Sequence, residues 1–144
     1  TDGGNLGTPV FNNYTSTTYY VTAGTWSAGD ETITYLFATL AGISKVGSYT
    51  GNGSNQTIDC GFSAGARFIL IKRTDDDGDW YLWDSVRGIV AADDPSLSLN
   101  TTTEQENENS VGPHNSGFIV NQVSTGGATN INVSSATYIF YAIA

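Results

Sequence analysis

The feature that most constrains this chain is a missing one. Nowhere do apolar residues recur at i, i+3, i+4 and i+7 for even three turns, so no stretch can lay a helix face on a core. Short runs of alternating character take its place. They read as strands at Thr17–Thr22, Thr32–Leu40, Val46–Thr50, Gln56–Cys60, Arg67–Arg73, Trp80–Asp84, Gly117–Gln122, Asn130–Val133 and Ala136–Ile143. Turn residues stand between them: "AGD" at Ala28–Asp30, "GNGSN" at Gly51–Asn55, "DDDGD" at Asp75–Asp79 and "TGGAT" at Thr125–Thr129. The expectation is an all-β, jelly-roll-like antiparallel β-sandwich of about 8–10 strands with no substantial helix.

Length and composition agree. A chain of 144 residues makes one domain and buries roughly two thirds of its unfolded surface. Its 39% hydrophobic content supplies a core, and only 13% of residues are charged. Net charge is −9 with five scattered Lys and Arg. Tracking phosphates needs a basic stripe, so nucleic acid is excluded as a partner. No apolar run approaches membrane-spanning length, so no membrane partner is expected either. Cys60 is the single cysteine, which rules out an intrachain disulfide and Cys-based metal motifs. The chain opens on Thr1 rather than Met, which reads as processing or a fragment. Sequons at Asn13, Asn52, Asn55, Asn100 and Asn132 are about what such an Asn/Ser/Thr-rich chain gives by chance.

An internal echo divides the chain. "TITYLFATLAG" (Thr32–Gly42) resembles "SATYIFYAIA" (Ser135–Ala144), and each follows a strand ending in Val and a Gly-containing turn. Residues 1–41 therefore read as the closing strands of a preceding repeat, and residues 42–144 as a sandwich domain ending in the same pair.

"GDWYLWDSVRG" (Gly78–Gly88) is the densest local pattern. On a strand Trp80, Leu82 and Asp84 face one way, Tyr81 and Trp83 the other. Asp84 can accept backbone N–H groups two and three residues on, Arg87 is within pairing reach, and Gly88 permits an unusual backbone. Trp80, Trp83, Asp84, Arg87 and Gly88 thus read as a structural corner.

The stretch "KVGSYTGNGSNQTIDCGFSAGARFILIKRTDDDGDWYLWDSVRG", then "GFIV" and "ATYIFYAIA", resembles a domain of uncharacterised function in virion proteins of tailed bacteriophages, in tail-fibre-like and other appendage proteins. Members share a Tyr-Thr-Gly-Asn-Gly turn, a Gly-Phe before an Ile-Lys strand, a Trp strand entering Asp-(Ser)-x-Arg-Gly, a Gly-Phe strand and a Tyr-rich last strand. The likeness spans Lys45–Ala144, about two thirds of the chain. "GFSAGARF" lacks the Pro expected after Gly-Phe, and the last strand has Tyr and Phe where Trp is common. Both departures concern packing. The resemblance implies a non-enzymatic virion structural domain on the particle surface, partnered by copies of itself or other virion proteins. Alternatives are a lectin-like module for host-surface glycan and a capsid decoration or head fibre.

Asp75, Asp77 and Asp79 alternate around Gly78 and could gather calcium, the one cofactor the sequence suggests, although the spacing is not that of an EF-hand. Otherwise the stretch is a solvated hairpin tip. His114 is the only histidine and no nucleophile elbow accompanies it, so it reads as a loop residue with a local hydrogen bond. Glu104, Glu106 and Glu108 read as a solvated loop, and the pair Asp93/Asp94 as part of a turn. For a glycan site the candidates are Trp26, Tyr49, Asn52 and Tyr81, combining ring faces for stacking with an amide for hydroxyls.

Overall fold

The computed structural model describes residues 11–12, 20–21, 35–121 and 129–144, which fall into two compact units, Thr1–Tyr35 and Leu36–Ala144. In the first, β1 (Phe11–Asn12) pairs antiparallel with β2 (Tyr20–Val21). β2 lies inside the expected Thr17–Thr22 strand, whose other residues fall outside the described ones, as do Trp26 and the "AGD" turn.

The second unit is an antiparallel β-sandwich. Its strands are β3 (Ser44–Thr50), β4 (Gln56–Asp59), β5 (Phe68–Arg73), β6 (Trp80–Asp84), β7 (Asp94–Ser98), β8 (Glu106–Glu108), β9 (Val111–His114), β10 (Gly117–Val120) and β11 (Thr137–Ile143). Six form one sheet in the order β3-β11-β5-β6-β7-β8, and three form the other in the order β4-β10-β9. Every pairing is antiparallel. Among the described residues the only helical element is a 3₁₀ turn at Thr129–Ile131, and no helix is long and apolar enough to cross a membrane.

Alternation decides which side chains go inside. Tyr138, Phe140 and Ala142 of β11, Ile69 and Ile71 of β5, and Tyr81 and Trp83 of β6 are buried on one face of the large sheet. They meet Ile58 of β4, Val111 of β9 and Phe118 and Val120 of β10. Phe118 and Phe140 pack edge to face across the layers, with ring centroids 5.5 Å apart, the arrangement that aromatic quadrupoles favour. Cys60 is buried at the end of the small sheet, where burial pushes its thiol up to about 11.

The sequence reading needs correction at both ends of this unit and in its middle. Residues 35–39 of the expected Thr32–Leu40 strand have no regular structure, and Leu40 makes only an isolated bridge to Ser44. β3 is the open edge of its sheet beside this segment, yet Thr39 meets it with a side chain rather than a ladder. The Thr39 hydroxyl donates to the Val46 carbonyl and accepts the Val46 N–H at 3.0 Å. Asn130–Val133 is a tight turn rather than a strand, because the buried Asn132 side chain bonds across to another loop. Three unforeseen strands, β7, β8 and β9, contain Pro95, three polar residues and Pro113 respectively. The solvated-loop reading therefore fails for Glu106 and Glu108, which lie in β8.

Candidate functional site

β6 delivers the corner. Its inward residues, Tyr81 and Trp83, are buried and tilted against each other at 6.1 Å, while Trp80 is exposed and Asp84 half-buried. The chain turns directly after Asp84. One carboxylate oxygen accepts the N–H groups of Val86 and Arg87, both at 2.9 Å, and the other pairs with the Arg87 guanidinium. Gly88 closes the turn through its N–H to the Asp84 carbonyl at 3.0 Å, with φ at +128°, a region a side chain rarely adopts. Partial burial acts to raise the Asp84 pKa. The two N–H donors and the Arg87 charge outweigh it, and the pKa is lowered.

A second carboxylate, read from sequence as part of a turn, is the first residue of β7 and has no exposed surface. Asp94 accepts the N–H of Ser110 at 2.9 Å and of Val111 at 3.1 Å. Ser110 lies where the chain leaves β8, in the large sheet, for β9, in the small one. Asp94 therefore pins that crossover. Burial pushes its pKa up to about 6, with the two N–H groups pulling back. The Trp83 indole N–H lies close enough to lower the pKa further, without forming a hydrogen bond of good geometry. No local signal placed Asp94 on a strand, because Pro95 beside it lacks a ladder donor and reads as part of a turn.

Three loops meet at one end of the sandwich around a cleft of about 500 Å³. They are the β4–β5 segment, the β6–β7 corner and the β9–β10 turn. Backbone bonds tie them together: Gly65 N–H to Asn115 carbonyl at 2.7 Å, Ala66 N–H to Gly117 carbonyl at 3.0 Å, and Ser85 N–H to Arg67 carbonyl at 2.8 Å. Arg67, Ser85, His114 and Asn115 supply its polar lining, Ile89 and Val90 an apolar wall. His114 is exposed at the end of β9, and its Nδ1 accepts the Ser116 N–H at 3.3 Å. Only Gly88 of the expected corner reaches this lining, and sequence reasoning missed Arg67 altogether.

Of the candidates for sugar binding, Tyr49 and Asn52 bond to the adjacent residues Ile131 and Asn132, and Tyr81 lies apart from them. Tyr49 is half-buried, stacked on Tyr138 at 4.8 Å, with its hydroxyl donating to the Ile131 carbonyl. Burial, with the neighbouring Tyr138, drives its pKa far above the ordinary tyrosine value. Asn52 caps its own loop, its side-chain oxygen accepting the Ser54 N–H at 2.9 Å and the Asn132 amide at 3.2 Å. Fully buried Asn132 returns the contact by accepting the Asn52 N–H at 3.0 Å. Gly51 fits beneath this clasp, since a Cβ there would stand 2.1 Å from the Val133 carbonyl oxygen. Tyr81 is in the core.

The acidic hairpin is divided among separate partners. Asp75 takes Arg73 in a bidentate pair at 3.0 and 3.1 Å and accepts the Thr137 N–H at 2.9 Å. That hydrogen-bonded guanidinium, above all, holds the Asp75 pKa down to about 2. Asp79 accepts the Asn100 amide at 2.8 Å, and Asp77 is exposed. Among the described residues no three His, Cys, Asp or Glu side chains converge as a metal would require.

The remaining feature is the outer face of the six-stranded sheet. Register places Val46, Tyr141, Leu70, Leu82 and Leu97 directly across from one another on five successive strands. Val46 is exposed and the others only half-buried. Phe37 stacks on Tyr141 at 4.4 Å and covers part of the row. Phe37 itself is 52% exposed, and its neighbour Leu36 is 74% exposed.

Fold and site together define a small all-β sandwich with a loop-walled cleft at one end and an apolar stripe across its larger sheet. The chain belongs to the family described as Domain of unknown function (DUF7483), whose pattern matches residues 1–144. No curated protein and no solved structure matches it.

Proposed function

We propose that this chain is a non-enzymatic structural module that assembles with copies of itself or similar sandwiches, as a building block of a tailed-phage appendage. The observation that carries the reading is the apolar row Val46–Tyr141–Leu70–Leu82–Leu97, running strand to strand on the outer face of the large sheet. Scattered surface hydrophobics need no explanation, but a contiguous stripe across a hydrogen-bonded sheet is the kind of surface that associates. The sequence likeness of Lys45–Ala144 to phage appendage domains supplies the setting. The carboxylates fit the same reading: Asp75, Asp84 and Asp94 are each engaged in holding a turn or crossover.

Light scattering on the full chain at high micromolar concentration tests this. The expected result is a multimer that Leu70→Glu/Leu82→Glu reduces to monomer while circular dichroism stays unchanged. A wild-type monomer, or a multimer indifferent to the double substitution, overturns the reading.

A further inference from the structure

The geometry points to a second, independent surface: the end cleft is a binding site for a small monocarboxylate bearing hydroxyl groups, with Arg67 receiving the carboxylate. The first support is the state of the basic side chains. Arg73 is held by Asp75 and Asp76, Arg87 by Asp84, and Lys72 donates to the Gly78 carbonyl. Arg67 alone of the three arginines has no ion pair or hydrogen bond from its side chain among the described residues. It lines the cleft instead.

The second support is what the lining omits. The chain carries 14 Asp and Glu, yet none of those among the described residues lines this cleft. In a molecule of net charge −9, an anion is admitted only where local positive charge is left uncancelled. His114 adds a donor. Its Nδ1 accepts the Ser116 N–H, so Nε2 is the ring nitrogen left to donate. Ser85 and Asn115 provide hydroxyl and amide groups for a ligand's hydroxyls, and Ile89 and Val90 an apolar wall for its C–H face.

The third support is preorganisation. The cross-strand bonds Gly65 to Asn115 and Ser85 to Arg67 fix the walls before any ligand arrives, so binding orders little chain. Charge matching selects the anion. One guanidinium balances a single negative charge, and its planar fork fits a carboxylate in bidentate fashion. A phosphate dianion would leave excess negative charge inside an already acidic molecule.

The test is an NMR titration of the full chain at low salt with D-glucuronate, and with glucose and glucose 6-phosphate as comparators. Saturable shifts with glucuronate at residues 64–67, 85–90 and 113–115 are expected, with a millimolar Kd and none with glucose. Arg67→Gln should weaken binding by about tenfold or more, and Arg67→Lys by less, because charge survives while the fork is lost. Arg67 is exposed, so the melting temperature should stay at the wild-type value in both variants. Equal shifts with glucose, tighter binding of glucose 6-phosphate, unchanged affinity in Arg67→Gln, or no saturable shift each overturn the assignment. None of these outcomes bears on the multimer experiment.

Discussion

Asp84 and Asp94 make nearly the same hydrogen bonds and behave in opposite ways. Each accepts two successive backbone N–H groups, Asp84 at 2.9 and 2.9 Å, Asp94 at 2.9 and 3.1 Å. Yet the pKa of Asp84 is lowered and that of Asp94 raised to about 6. The difference is what surrounds the bonds. Asp84 keeps contact with water and has Arg87 as a counter-charge, whereas Asp94 is buried and has no ion pair among the described residues. Two N–H groups do not offset the loss of solvent around a full charge. The first carboxylate shapes a corner at little cost. The second strains the ionised protein to hold a crossover.

The largest test removes the buried acceptor. Asp94→Ala leaves the Ser110 and Val111 N–H groups without their partner inside the protein and should cost about 2–4 kcal/mol in denaturant unfolding. A loss below about 1 kcal/mol would show that water or the backbone takes over the role.

The pH dependence separates the two groups. Because the folded pKa of Asp94 is raised, its contribution to stability is fully present below the unfolded value of 3.8 and is lost as pH rises through about 6. That limb is worth up to about 3 kcal/mol. Asp84 works the other way: its pKa is lowered, so its contribution is present above 3.8 and lost as pH falls below that. Urea midpoints of the wild type should climb from pH 7 toward pH 4 and then fall. Asp94→Asn should flatten the climb and leave the fall. A climb of equal size in the variant would assign it to general charge repulsion instead.

The smaller effects belong to the exposed corner. Asp84→Ala removes two turn bonds in a half-exposed setting and should cost about 1 kcal/mol by thermal melting. Arg87→Gln should change stability by less than about 0.5 kcal/mol, because the pair it breaks is solvated. A cost for Arg87→Gln near that of Asp94→Ala would erase the contrast between the two sites.

How far the sequence foretold this contrast depends on which side chains carry it. Strand β6 and its turn were legible, because alternation, an Asp at the right offset and a Gly at the end are all local signals. β7 was hidden by Pro95, which lacks a ladder donor, and β9 by Gly112 and Pro113, so the strand around Asp94 read as a turn. The expected strand at Thr32–Leu40 had the composition of β11 but not its position between two neighbours. β11 is flanked by β3 and β5, while the described part of Thr32–Leu40 meets the edge strand only through the Thr39 side chain and contacts of Ala38 and Leu40 with Ser44. Composition reports what a strand is made of and not whether a partner is waiting. The end cleft left no mark for a related reason. Its lining comes from three separate loops, and Arg67 is notable only because no Asp or Glu of the described residues shares that lining, which no linear pattern displays.

The lone thiol has a use that follows from its setting. Cys60 is buried, its backbone N–H is bonded to the Ser116 carbonyl, and its ionisation is suppressed. An alkylating reagent can therefore attack it only during excursions that expose the end of the small sheet. Because no other sulfhydryl competes, the pace of modification by iodoacetamide becomes a clock for that breathing, readable by mass spectrometry on otherwise unaltered protein.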